Sequence, residues 1–220
     1  MSATTPARDH ILAAIRAAKK ADSVLKKPQK TTVHTLPARA RNAGDRVGQF
    51  IAEAERVGAT VDRTTHNDGV PAAVAAYLQS RNIPSVLRLA PAVESLPWAR
   101  VPGVDVLGGA VKDGDAVGLS AAFAGVAETG TLVLLSGPAN PTRLNLLVET
   151  HIVVVQARDI EGAYEDVWKK LRASDPEEKS FMPRTVNWIT GPSRTADIEQ
   201  TLLMGAHGPK ALHIVVVGDA

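Results

Sequence analysis

Between Gly118 and Gly137 the chain reads GLSAAFAGVAETGTLVLLSG, and Glu128 is the single acid in that stretch. A carboxylate placed where one element gives way to the next can attack an activated carbonyl or take a proton, or it can simply accept hydrogen bonds from its own turn. Gly130 can adopt positive φ for the turn or let a ligand approach the backbone. Thr129 and Thr131 flank it with hydroxyls that both donate and accept. A second group runs from Trp188 to Glu199, WITGPSRTADIE. Here Ser193 or Thr195 can cap a helix start, with Asp197 and Glu199 at the positive end of its dipole. Arg194 can grip a carboxylate or phosphate, or pair with a neighbouring acid. A third, Gly205–Pro209, sets His207 among small residues, where it can act as acid or base or bond a backbone carbonyl. His151 opens an apolar strand and reads as structural.

Several familiar constellations are absent: G-x-G-x-x-G after a strand, G-x-x-x-x-G-K-[ST], G-x-S-x-G and H-E-x-x-H. The 220 residues contain no cysteine, which removes disulfides, thiolate zinc and cysteine-ligated iron–sulfur clusters from this chain. No metal or cofactor site is assigned. Net charge is only +2. The lysines and arginines of the first fifty residues read as a solvated helix face, so no nucleic acid partner is expected. No apolar run reaches the ~20 residues of a membrane span, and the first residues lack the pattern of a secretory signal. A cytoplasmic protein is therefore expected.

These residues need a scaffold, and the hydrophobic pattern supplies one. Helical spacing predicts helices near 7–25, 43–57, 70–80, 121–128, 160–171 and 196–204. Short Val/Ile/Leu-rich runs predict strands near Thr60 and over 85–89, 104–107, 116–119, 131–135, 151–156, 186–190 and 212–217. Alternation of this kind predicts the α/β class, an open and mainly parallel sheet with helices on both faces. An amphipathic N-terminal helix and a Pro-flanked connector (27–37) fill residues 1–41. The helix is expected to pack outside the domain or against another subunit, and residues 42–220 to form one domain. Ligands in such folds usually bind beyond the carboxyl ends of strands, and Glu128, Thr131, Ser193, Arg194, Asp197 and His207 are expected to meet in one pocket.

Four segments in order, AETGTLVLLSGP (127–138), HIVVV (151–155), GPSRTADIE (191–199) and GAHGPKALHIVVV (205–217), together with the N-terminal ILAAIRAA helix, resemble the LutC/YkgG branch of the LUD-domain family. The resemblance covers nearly the whole chain. It implies a fold similar to that of CoA transferases and sugar-phosphate isomerases. It also implies a non-redox place in a bacterial system that oxidises L-lactate to pyruvate, beside an iron–sulfur subunit and a cysteine-rich subunit. The family's recurring positions map to Glu128, Thr129, Gly130 and Thr131, to Gly191, Ser193, Arg194, Thr195 and Asp197, and to His207, Gly208 and Pro209. Two functions stay open at this point. One is a component binding a small carboxylate or organising partners; the other is a CoA transferase-like or other small-carboxylate enzyme using Glu128.

Overall fold

The computed structural model describes residues 5–22, 37, 44–112, 114–174, 182–195, 203–205 and 207–218. Contacts group the chain into two units, Met1–Thr35 and Leu36–Ala220. In the first, helix α1 spans Thr5–Asp22. Nearly all of the expected connector lies outside the described residues.

The second unit opens with α2 (Arg46–Arg56), started by Asp45, whose carboxylate accepts the Gly48 N–H at 2.7 Å. Val47, Phe50 and Ala54 lie at helical spacing and are its buried face. There follow β1 (Thr60–Thr64), α3 (Val70–Ser80), β2 (Val86–Leu89), the single turn α4 (Pro91–Glu94), β3 (Asp105–Leu107), β4 (Val117–Ala121), β5 (Ala124–Val126) and β6 (Thr131–Leu135). The chain continues through α5 (Thr142–Leu147), β7 (Thr150–Gln156), β8 (Ile160–Glu161), α6 (Tyr164–Ala173), β9 (Val186–Ile189), β10 (Arg194–Thr195), β11 (Leu203–Met204) and β12 (Ala211–Val217).

Six strands form one sheet in the order β1-β12-β7-β4-β2-β3, every pairing parallel. Strict alternation along the central strands sends side chains to two cores. Ile152, Val154, Val215 and Val217 meet Val74 and Leu78 of α3 and Val93 of α4 on one face. On the other, Val153, Val155, Ile214 and Val216 meet Phe50 of α2 and Leu132 and Leu134 of β6. That second face is covered by α2 together with a four-stranded sheet, β8-β5-β6-β9, whose β5–β6 and β6–β9 pairings are antiparallel. Helix α6 packs on this smaller sheet through Val167 and Tyr164, against Val126 and Val133. The α/β fold with its parallel sheet is as the sequence predicts; the antiparallel layer is an addition.

The helix expected over 121–128 is instead strand β5. Its Ala-rich composition favours a helix, but Gly125 lies against the Phe50 ring, where a Cβ would come within 2.9 Å. The segment pairs with β6 through the turn at Glu128–Gly130. Tertiary pairing overrides propensity here. The helix expected from residue 160 starts at Tyr164, because Ile160–Glu161 adds to β5 as β8. The helix expected over 196–204 ends differently. Leu203–Met204 pairs antiparallel with Arg194–Thr195, while residues 196–202 lie outside the described residues.

Candidate functional site

Ser193, Arg194 and His207, nominated from two separate motifs, line one cavity of about 250 Å³ together with Asn145, His151 and Thr190. Ser193 joins the two segments: its N–H donates to Pro209 O at 2.9 Å, its carbonyl accepts the Gly205 N–H at 2.9 Å, and its Oγ accepts the His207 N–H at 3.3 Å. Ser193 Oγ is thus tied to the His207 loop, and Arg194–Thr195 is strand β10; the helix expected after it lies outside the described residues.

The cavity opens at the amino ends of the parallel strands, since His151 and Leu212, second residues of β7 and β12, both line it. This is the edge opposite to the one the general rule favours. At the carboxyl ends lies a cleft of about 370 Å³ lined by Thr65, His66, Asn67, Gln156 and Gly218, among others. None of the nominated residues reaches it.

The structure divides the remaining nominated residues. Thr131 is fully buried, and its hydroxyl meets those of Thr129 at 2.7 Å, Tyr164 at 2.9 Å and Thr190 at 2.6 Å. Thr190 lines the cavity, so the Thr131 turn reaches the site through a chain of hydroxyls. Glu128 is partly exposed at the start of that turn; its N–H donates to Gly162 O at 3.2 Å, and it is not among the residues lining the cavity. Gly130 sits at φ +66 with its Cα against α2, where an added Cβ would stand 2.2 Å from Ala54 N. Close packing on the helix accounts for this glycine. Asp197 lies outside the described residues, and Thr195 is placed only as a residue of β10.

Arg194 has an identifiable partner. Its Nη2 donates to the carbonyl of Val57, the C-cap residue of α2. A cation at a helix C-terminus also suits the dipole. Gly191, at φ +76, brings its own backbone against the same carbonyl. The guanidinium is exposed at the cavity and retains other N–H groups.

The deepest polar groups are those of Asn145, which the sequence reading passed over, and His151, which it read as structural. Asn145, 1% exposed, has neither side-chain atom hydrogen-bonded. His151 is fully buried; its Nε2 lies 2.7 Å from Ser120 Oγ and its Nδ1 has no partner. Of five orphaned buried side-chain atoms among the described residues, three belong to this pair. An unsatisfied buried group costs about 1–3 kcal/mol, so a concentration of them marks a place where something other than folding sets the residue types. Burial pushes the His151 imidazole down to about 3, which keeps the ring neutral at physiological pH. Gly118 explains why Asn145 can sit here. It pairs with His151 across β4 and β7, and an added Cβ would come within 2.9 Å of Leu144 Cδ1, so the missing side chain lets α5 settle on the sheet. The available signal was a polar residue interrupting an apolar run: Asn145 within LNLL, Ser120 within VGLSA, His151 at the head of HIVVV.

Residues 115–217 match the LUD domain model, a range that includes every residue lining the cavity. The lactate utilization protein C of Macrococcus caseolyticus is 34% identical over 120 residues, 54% of this chain and 51% of that protein. That of Bacillus subtilis is 37% identical over 108 residues, covering 47% and 42%. An uncharacterized protein of Neisseria meningitidis is 39% identical over 100 residues, covering 46% and 41%. Over residues 115–217 the chain is similar to the LUD domain, and among proteins with that domain to those named lactate utilization protein C. The matched stretch spans about half the length of these curated relatives. Among solved structures, a DUF162 family protein from Deinococcus radiodurans superposes with a TM-score of 0.59 at 25% identity, covering 83% of this chain and 100% of that one.

No group of three or more metal-ligating side chains occurs among the described residues. Nor is any described helix long and apolar enough to cross a membrane. What the cavity offers is a mouth with a guanidinium and an imidazole, a threonine hydroxyl along the wall, and a neutral amide and imidazole behind. Such a set suits binding and orientation of a small polar molecule.

Proposed function

We propose that this chain is a non-redox component of an L-lactate oxidation system, binding a small carboxylate at the Ser193, Arg194 and His207 side of the cavity. The observation that carries the reading is the convergence of these residues on one small cavity inside the LUD-domain region. A volume near 250 Å³ is below the usual range for drug-sized ligands, about 300–1,000 Å³, and so favours a compact one. The relatives named lactate utilization protein C supply the pathway.

Converting L-lactate to pyruvate removes two electrons and two protons, and ordinary side chains cannot take up the electrons. A chain without cysteine cannot hold a thiolate-ligated cluster. Electron transfer then falls to the iron–sulfur and cysteine-rich subunits that the resemblance implies, and this chain takes the carboxylate. Arg194 pairs with the carboxylate as a charge-assisted donor.

The test has two arms. Purified chain is incubated with L-lactate and an artificial electron acceptor, and lactate binding is measured by calorimetry. Binding without dye reduction is expected; sustained reduction by the pure chain would overturn the non-redox assignment. In the host, deletion should abolish growth on L-lactate as sole carbon source, and the intact chain should restore it. Undiminished growth of the deletion strain would overturn the lactate assignment.

A further inference from the structure

The orphaned polar atoms of Asn145 and His151 lie against the same cavity, come from different elements, and are not used by the carboxylate reading. Both side chains are almost wholly withdrawn from solvent, and the natural filling for such positions is apolar. An amide at the Asn145 position supplies one donor group and one acceptor, neither charged. The imidazole is similar in kind. Whichever tautomer it takes, one nitrogen faces Ser120 Oγ and the other, Nδ1, is left to donate or accept. Held neutral by its burial, it adds no charge to the cavity floor.

We propose that Asn145 and His151, with Ser120 set behind the imidazole, form a recognition floor that binds an uncharged oxygen of the ligand, a hydroxyl or carbonyl group, while the ligand's carboxylate stays beside Arg194. This rests on the small-carboxylate reading of the same cavity and adds the residues that select among such acids. The ligand class is a short carboxylic acid with an oxygen substituent near the carboxyl group. An acid of equal size without that oxygen leaves the floor unsatisfied and binds more weakly, because a site built to hydrogen-bond rejects the analogue that lacks the partner.

The test compares L-lactate, pyruvate and propionate on the full chain by calorimetry, with the Asn145 side-chain amide followed by NMR. The oxygenated acids are expected to bind at least tenfold more tightly than propionate. In Asn145→Leu, an apolar replacement of similar size, that preference should vanish while thermal stability holds or rises. Equal binding of propionate, or a preference that survives in Asn145→Leu, overturns the proposal. Should that variant fail to fold, Ser120→Ala leaves the imidazole in place without its hydroxyl partner. A preference reduced at least threefold supports the floor, and an unchanged one overturns it. Propane-1,2-diol separates the two readings, having the oxygens without the charge. If the acids do not bind but the diol shifts the Asn145 amide signals, the floor stands and the carboxylate reading falls. If no probe shifts them, the floor itself is overturned.

Discussion

Ser120 Oγ lies 2.7 Å from His151 Nε2, a hydroxyl and an imidazole paired between β4 and β7 where neither reaches solvent. The second buried histidine, His213, stacks on Tyr77 with ring centroids 3.8 Å apart and bonds Thr60 Oγ1 at 2.9 Å. Burial is the leading cause that lowers it, to about 4; Asp62, 3.6 Å away, acts in the opposite sense, and Arg81 reinforces the lowering. Both rings are neutral in the folded chain until the pH falls to about 4 for His213 and about 3 for His151.

That difference predicts acid sensitivity. In the unfolded chain each histidine takes a proton near its ordinary value of 6.5. Between that pH and the folded values the unfolded state holds more protons, so stability falls as pH falls. Urea unfolding at pH 7.5 and pH 4.5 should differ by about 2 kcal/mol or more, in favour of the higher pH. His151→Gln should flatten part of the slope. A wild-type chain equally stable at both pH values would contradict the neutral assignment.

A second prediction concerns Arg88, a charged residue inside β2. Asp115 grips it at two points, Nε to Oδ2 at 2.7 Å and Nη2 to Oδ1 at 3.0 Å, while Nη1 donates to Gly108 O. The guanidinium lowers the Asp115 carboxyl below its usual range. Asp115→Asn leaves a buried cation without a counter-charge, and should cost about 3–5 kcal/mol, which a thermal melt reads as a Tm lower by about 10 °C. A loss below about 1 kcal/mol, as at an exposed pair, would show the bridge to be solvated.

Gly130 gives a third. A methyl group there meets both positive φ and the backbone of α2. Gly130→Ala should destabilise by on the order of 2–5 kcal/mol, combining strain and overpacking. The Thr131 hydroxyl chain to Thr190 should loosen with it, so ligand affinity falls too. A variant as stable as the wild type would show that the turn does not press on the helix.

These residues also show what the sequence could and could not reveal. The parallel strands were legible because β7 and β12 are nearly unbroken Val/Ile runs, the mark of strands buried on both faces. Strand β5 was not legible, because AFAGVA favours a helix locally and becomes a strand only through pairing with β6. The meeting of Ser193, Arg194 and His207 followed from loop motifs at strand ends. Asn145 was missed because a buried amide in an apolar helix turn carries no spacing signal; its role depends on Gly118, a residue of a distant strand. Arg194 was found but only half understood, since its tie to Val57 is made across 137 residues of sequence.

That tie permits the last prediction. Arg194 has two tasks: one nitrogen closes the C-terminal end of α2, and the rest of the guanidinium stands at the cavity. Arg194→Ala should remove both, lowering stability by about 1 kcal/mol, a typical hydrogen bond, and weakening carboxylate binding at least tenfold. Arg194→Lys separates the tasks. It retains the charge but not the planar fork that can hold the Val57 carbonyl and a carboxylate together. Carboxylate affinity in this variant should lie between wild type and alanine and fall more steeply with added salt, because a hydrated ammonium acts chiefly as a point charge. An uncharged probe such as propane-1,2-diol should bind all three proteins alike. If Arg194→Ala binds L-lactate as the wild type does, the guanidinium serves α2 alone, and the carboxylate must be sought elsewhere in the cavity.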